Sequence, residues 1–226
     1  MKYQNIIKGR FISRPNRFIA LVEIDGKTEI CHVKNTGRCK ELLIEGAEVW
    51  LEKSDNTNRK TAYDLICVKK GAQIINMDSQ APNKIAEEWL KKSGLFSPAL
   101  KLRREVSCDK SRFDLLAEDQ GEITWIEVKG VTLEEDGIAR FPDAPTERGV
   151  KHIMHLCDLA QQGDKAMILF VVQMKGVSHL EPNDRTHAAF GEALRKAARC
   201  GVQILAIDCK VIPGTVEADE MIPVII

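Results

Sequence analysis

The spacing of hydrophobic and polar positions changes near residue 80, dividing the chain into two parts. In the first, short apolar runs are broken by turn signals. FIALVEI (18–24) leads to Asp25-Gly26, TEICHV (28–33) follows, and AEVWLEK (47–53) and AYDLICVKKG (62–71) come later. Strand-like runs about ten residues apart that flank a DG pair predict hairpins in a small β-barrel. Between them, NTGRCKELLIEG predicts a Gly turn followed by one or two helical turns. Five short strands and a short helix point to an OB-like barrel over residues 1–80, and an SH3-like barrel fits nearly as well.

From Ser79-Gln80-Ala81-Pro82 onward the period lengthens. PNKIAEEWLKKSG places Ile85, Ala86, Trp89 and Leu90 at helical spacing, with Pro82 near the start and Gly94 as the stop. LRREVSC, SRFDLLAED and EITWIEVKG read as strands, the last two joined through Asp119-Gln120-Gly121. A helix from about Thr146 to Gln162 follows. MILFVVQM is a continuous apolar run and predicts a buried strand. Asp184 is expected to cap a third helix whose Phe190, Ala193, Leu194 and Ala197 face inward. VQILAI predicts a last strand, and the tail after Asp208 carries no clear pattern. The order helix, three strands, helix, strand, helix, strand over 81–226 gives an α/β (α+β) domain with a mixed central sheet.

Composition adds three points. No stretch of the 226 residues approaches the ~18–20 apolar positions of a membrane span, and MKYQNIIKGRF lacks the apolar core of a secretory signal. A cytoplasmic setting is therefore expected, with no membrane partner. Seven cysteines form no CxxC pair and no Cys/His zinc spacing, which suits reduced, buried thiols. The net charge is zero, but residues 1–80 hold 14 Lys/Arg against 10 Asp/Glu and residues 81–226 hold 19 against 23. The basic side thus belongs to the first domain.

The candidate chemistry lies in SRFDLLAEDQGEITWIEVKG. Strand alternation puts Glu127 and Lys129 on one face with Val128 toward the core, and a short hairpin brings Asp114 beside Glu127. Two close carboxylates suit Mg²⁺ or Mn²⁺, which prefer hard oxygen ligands, so Asp114 and Glu127 are the expected metal ligands. Lys129 is expected to handle the attacking water. An E-x-K triplet is common on solvated hairpins. Here, however, it ends an otherwise apolar strand, where charge is costly unless paired or used.

Around this set, Glu87 shares a helical face with Asn83 and is a supporting catalytic candidate. Arg148, Lys151, His152 and His155 form a basic stripe opposite Val150, Ile153, Met154 and Cys157. Arg148 is read as a transition-state group, with Lys151 and His152 as phosphate contacts. Gln173 is a polar residue where VVQM calls for an apolar one. In the first domain Arg14, Arg17, Lys34, Arg38 and Lys40 are the expected nucleic-acid contacts, with Arg59-Lys60 as a further basic pair. Phe18 is equally a stacking platform or a core residue.

Several of these segments together resemble one family. RPNRF (14–18), HVKNTGRCKELL (32–43), RKTAYDL (59–65), SRFD (111–114), IEVKGVTL (126–133) and FPDAPTERGVKH (141–152) are similar to the sugar fermentation stimulation protein A (SfsA) family over nearly the whole chain. The resemblance implies an N-terminal OB-like domain and a C-terminal domain of the PD-(D/E)xK nuclease type. It also implies DNA binding without strong sequence preference, and a link to sugar (maltose) metabolism. The family's nuclease-like motif falls on Asp114, Glu127 and Lys129. One departure is Gly130, where a serine is expected in some relatives.

The expected function is DNA binding with metal-dependent phosphodiester hydrolysis. The alternative is a non-catalytic, sequence-nonspecific regulator on the same scaffold, with a homodimer as a further option for partners. A sugar-binding module is disfavoured by the three Trp and two Tyr, too few rings for a stacking platform.

Overall fold

In the first domain, apolar residues at every second position of β2 (Ile19–Ile24) put Ala20, Val22 and Ile24 inside. β3 (Lys27–Val33) does the same with Cys31 and Val33, and the Asp25-Gly26 turn joins the two strands. The computed structural model, which describes residues 1–35 and 37–226, continues the sheet with β1 (Ile6–Asn16), β4 (Glu48–Lys53), β5 (Tyr63–Lys70) and β6 (Gln73–Asn76). Their order is β3-β2-β1-β4-β5-β6, and a parallel β3–β5 pairing from Cys31↔Tyr63 to Val33↔Leu65 closes five of them into a barrel.

Two strands of this sheet were not anticipated. β1 has a broken alternation, because its register shifts between Phe11 and Ser13 and again before Asn16. β6 is only four residues long. The expected helical turns after Asn35 reduce to one turn, in which the N–H groups of Leu42 and Leu43 both donate to the Cys39 carbonyl, at 3.2 and 2.9 Å. Thr36, inside that motif, lies outside the described residues.

The second domain is a mixed-sheet α/β unit. α1 (Ala81–Leu90) precedes β7 (Lys101–Cys108), β8 (Ser111–Asp119) and β9 (Glu122–Val131), and α2 (Glu147–Gln161) precedes β12 (Lys165–Val172). α3 (Asp184–Arg199) leads into β14 (Gln203–Ile212) and β15 (Thr215–Ile222). The sheet order is β15-β14-β12-β9-β8-β7, with β12 parallel to both β9 and β14. β10 (Leu133–Glu135), β11 (Ile138–Phe141) and β13 (His179–Pro182) form a small separate sheet. Ile85, Ala86 and Leu90 of α1 pack with Leu115, Ile126 and Val128 in one apolar cluster. Ile153 and Leu156 of α2 and Leu194 of α3 pack with Ile168 and Phe170 in another. That second cluster also takes in Val22, Leu51 and Leu65 of the barrel, so the two domains share one core.

The pattern-based expectations fail at three places here. The patternless tail is β15, an antiparallel edge strand whose half-exposed residues carry little hydrophobic signal. The small sheet has strands of three or four residues. Asp184 does not cap α3: Asn183 is the N-cap residue and makes no side-chain cap bond, while the Asp184 carboxylate holds Arg195 at 2.6 Å. The helix then breaks its geometry at His187, with φ −156° and ψ 83°.

Candidate active site

The β8–β9 hairpin sets the site. Its turn needs left-handed backbone, which Gln120 (φ 51°) and Gly121 (φ 85°) supply. The resulting register pairs Leu115 with Ile126, so the next step brings Asp114 opposite Glu127. Asp114 Oδ2 accepts from the Val128 N–H at 2.8 Å, which fixes its carboxylate against the neighbouring strand. Its other oxygen accepts from the Asn83 side chain of α1 at 2.9 Å.

Glu127 is buried, with 2% of its surface exposed. Its Oε1 accepts from His152 Nδ1–H at 2.6 Å and from the Lys129 ammonium. Arg148 Nε donates to His152 Nε2 at 3.4 Å, which fits an imidazole carrying its proton on Nδ1. Glu127 Oε2 is buried and has no hydrogen-bond partner among the described residues. A buried carboxylate oxygen without a donor is costly, so its position calls for a cation. The carboxylates, Lys129, Asn83, Arg148 and His152 line a cleft of about 270 Å³.

The two carboxyls are pushed in opposite directions. Burial, then the charge of Glu127, raises the Asp114 carboxyl above its ordinary range, against the pull of the Val128 N–H and Lys129. Burial also opposes the charge on Glu127, but the His152 hydrogen bond and the Lys129 charge outweigh it and hold that carboxyl low. A divalent cation beside both would favour the ionised form of Asp114. An orphaned buried oxygen, a second carboxylate and an all-oxygen donor set fit Mg²⁺ or Mn²⁺.

Gly130 explains its own departure from serine. A Cβ there would lie 2.6 Å from Pro82 Cγ and 2.7 Å from Gln173 Oε1, so α1 and the end of β12 close directly over the backbone beside Lys129. Gln173 stays out of the cleft. Its Nε2 donates to Asn76 Oδ1 at 2.7 Å and to the Asp78 carbonyl at 3.0 Å, tying β6 of the barrel to the strand beside the site.

Several expected site residues stand elsewhere. Glu87 points away from the cleft and is held by Lys91 at 2.6 Å and by Arg104. Asn83, one turn earlier, is the α1 residue that reaches Asp114. The basic stripe of α2 is split. Arg148 and Lys151 are exposed, whereas His152 is buried on Glu127 and His155 packs on Phe113 with ring centroids 5.2 Å apart. His152 is therefore a partner of the carboxylate rather than a surface phosphate contact. The clue was its i, i+4 relation to Arg148, which a helical wheel alone assigned to a solvated stripe.

The barrel cations divide in the same way. The Arg14 guanidinium donates to the backbone carbonyls of Arg17, Asn35, Gly37 and Arg38 at 2.6–2.9 Å, so it braces two loops and is not free for phosphate. Lys34 is turned inward onto Asp78 at 3.2 Å. Arg59 grips Asp64 with both terminal nitrogens. Arg17, Arg38 and Lys40 are exposed and line a cleft of about 700 Å³ between the barrel and Ala144-Pro145, just before α2. Phe18 is 54% exposed and so lies outside the core.

Comparison with known proteins agrees with this architecture. The family model for the SfsA N-terminal OB domain matches residues 12–77, and that for the sugar fermentation stimulation protein RE domain matches residues 80–215. A sugar fermentation stimulation protein homolog of Ruminiclostridium cellulolyticum is 58% identical over 224 residues, covering 99% of both chains. One of Clostridium beijerinckii is 53% identical over 226 residues, covering 100% of both. The structure of Pyrococcus furiosus SfsA in complex with Ca²⁺ superposes with a TM-score of 0.90 at 29% identity, covering 100% of this chain and 98% of that one. The chain belongs to the SfsA family.

Proposed function

We propose that the chain binds DNA without strong sequence preference and hydrolyses its phosphodiester bonds with Mg²⁺ or Mn²⁺, as a nuclease of the PD-(D/E)xK type. The observation that carries this reading is Glu127 Oε2, a buried carboxylate oxygen left without a donor opposite Asp114. The Ca²⁺ held by the Pyrococcus furiosus relative supports it, because Ca²⁺ and Mg²⁺ both take hard oxygen ligands.

Asp114 and Glu127 would hold the ion. When bound, it supplies Lewis-acid polarisation of the phosphate and makes a nearby water more acidic. The chain's residues do the rest. Lys129, drawn to Glu127 and open to the cleft, orients that water and stabilises charge on the scissile phosphate. His152 holds Glu127 in place through Nδ1–H, as outer-shell histidines and carboxylates steady metal ligands. Arg148, exposed at the cleft rim, neutralises developing phosphate charge. Arg17, Arg38 and Lys40 hold the phosphate backbone at the barrel.

The test is cleavage of single-stranded, duplex and branched DNA with Mg²⁺ or Mn²⁺ by the parent, Asp114→Ala and Lys129→Ala. Cutting by the parent and not by the variants is the expected result. If nothing is cut while all three proteins bind DNA equally, the reading gives way to a non-catalytic DNA-binding regulator of sugar metabolism. No helix among the described residues is long and apolar enough to cross a membrane. A cytoplasmic setting and a homodimer are not needed by this reading.

A further inference from the structure

Three hollows follow one another along a single path. The barrel cleft ends at Ala144-Pro145, and Thr146, the next residue, lines the carboxylate cleft. Arg112, Arg148 and His152 of that cleft also line a third and larger hollow, of about 910 Å³, on the outer side of α2. Apart from Arg148 and His152, the residues of this third groove have no part in the proposed site.

Its lining has two parts. Val150 and Met154 of α2, both half-buried, give it an apolar floor. Lys110 and Arg112 from the β7–β8 hairpin form one edge, and Arg148 and Lys151 from α2 form the other. All four cations are exposed. Besides the His152–Glu127 contact, the ion pairs beside the groove are a loose 3.6 Å contact of Arg112 with Glu105 and a 3.7 Å contact of His155 with Asp109, and among the described residues neither Lys110, Arg148 nor Lys151 is neutralised. Asp109 and Asp158 also line the groove. From Arg148 to Asp158 is about 15 Å along the helix, at its ~1.5 Å rise per residue.

A duplex offers a surface its phosphates, its sugars and the edges of its bases, but the base faces are stacked inside. An unpaired strand exposes apolar base faces as well as phosphates, and needs cations with an apolar platform between them. We infer that the outer groove of α2 seats an unpaired DNA strand that enters or leaves the carboxylate cleft, with Lys110 and Lys151 on its phosphates and Met154 under a base. This deepens the proposed nuclease reading by naming the substrate form, and it makes Lys110 and Arg112 part of the DNA contact.

Binding in EDTA separates the groove from the chemistry. The full chain and a Lys110→Glu/Lys151→Glu variant are titrated against a fluorescent oligothymidylate and a hairpin-closed duplex of equal length, with thermal unfolding as the check on folding. The expected result is about tenfold weaker binding of the oligothymidylate and a slope of log affinity against log salt that falls by about 1.4, the share of two single-strand phosphates. Duplex binding should change by less than about twofold. Met154→Glu, which leaves the rim cations in place, should also weaken the strand and spare the duplex. Unchanged oligothymidylate binding, or an equal loss on strand and duplex, overturns the proposal. If the parent cuts nothing with Mg²⁺ yet the variant loses the strand selectively, the nuclease reading falls and the groove stands.

Discussion

Each domain builds a cluster from the same three kinds of residue: a buried carboxylate, a histidine and a cation. In the barrel, Asp64 Oδ1 accepts from His32 Nδ1 at 3.0 Å and from Arg59, and Oδ2 accepts from Arg59 at 2.9 Å with Lys34 at 3.9 Å. In the second domain, Glu127 Oε1 accepts from His152 and Lys129, and Oε2 accepts from nothing among the described residues. The first cluster is satisfied and closed. The second is half satisfied and opens on a cleft. Residue types alone do not separate a brace from a candidate reaction centre. The difference is one oxygen and the space in front of it.

Five changes sharpen or break this contrast. Glu127→Gln should abolish metal-dependent cleavage by about a thousandfold or more, equivalent to several kcal/mol of transition-state stabilisation. It should also remove Mn²⁺ binding by calorimetry. Asp64→Asn should leave cleavage per folded molecule within about twofold. It should cost about 2 kcal/mol of stability, a figure held down because Arg59 can turn to solvent. At about 2–4 °C per kcal/mol for a chain of this size, that is a Tm fall of roughly 4–8 °C. If Asp64→Asn silences cleavage as fully as Glu127→Gln does, the contrast is wrong.

The histidines come next. His152→Ala should weaken metal binding or activity by about 10- to 100-fold, the usual range for a group that steadies a ligand. His32 is more exposed and bonds a carboxylate already gripped by Arg59, so His32→Ala should cost under about 1 kcal/mol and no activity. Comparable activity losses from the two substitutions would erase the distinction.

Acid gives a further separation. Burial opposes the charge on Asp64, but its hydrogen bonds to Arg59 and His32 hold its carboxyl below the ordinary range. A depressed folded pKa gives stability that is present above the unfolded value, about 3.9, and is lost as pH falls through the lower folded one. Asp64→Asn should therefore flatten the acid limb of a Tm–pH curve below about pH 4, and an unchanged limb would contradict the pairing. Asp114 has the opposite sign. Burial, then Glu127, raises its carboxyl, so its stability contribution is largest at low pH and is lost as pH rises through the folded value. Asp114→Asn should consequently remove cleavage, while its effect on stability is the smallest of the five: a raised Tm of the metal-free protein near neutral pH. A lowered Tm would show that Asp114 braces the hairpin instead.

Strand alternation was enough to put Glu127 and Lys129 on one face, and the short hairpin was enough to bring Asp114 opposite. The barrel strands with clean alternation were equally legible, as were the three helices, because amphipathic period and turn residues are local signals. The misses share another cause. A helical wheel ranks faces but not reach, so it chose Glu87 where the approach of α1 brings Asn83 to Asp114. It also grouped His152 with exposed cations although the sheet covers that side of α2. Arg14 reads as a phosphate contact until the carbonyls of Arg17, Asn35, Gly37 and Arg38 converge on it, a tertiary fact. β15 hid because an edge strand with one wet face mixes charge into its pattern.

The shared core has a thermodynamic consequence. Apolar side chains run without a break from Val22 and Leu65 of the barrel to Ile153 and Phe170 beneath α2, and buried amides link Asn76 to Gln173 across the boundary. Neither half keeps its interior when the other melts. The barrel and the mixed-sheet α/β unit should behave as one cooperative body, with a single calorimetric transition whose van't Hoff and measured enthalpies agree. Cutting the chain between them would expose oil to water on both sides of the cut.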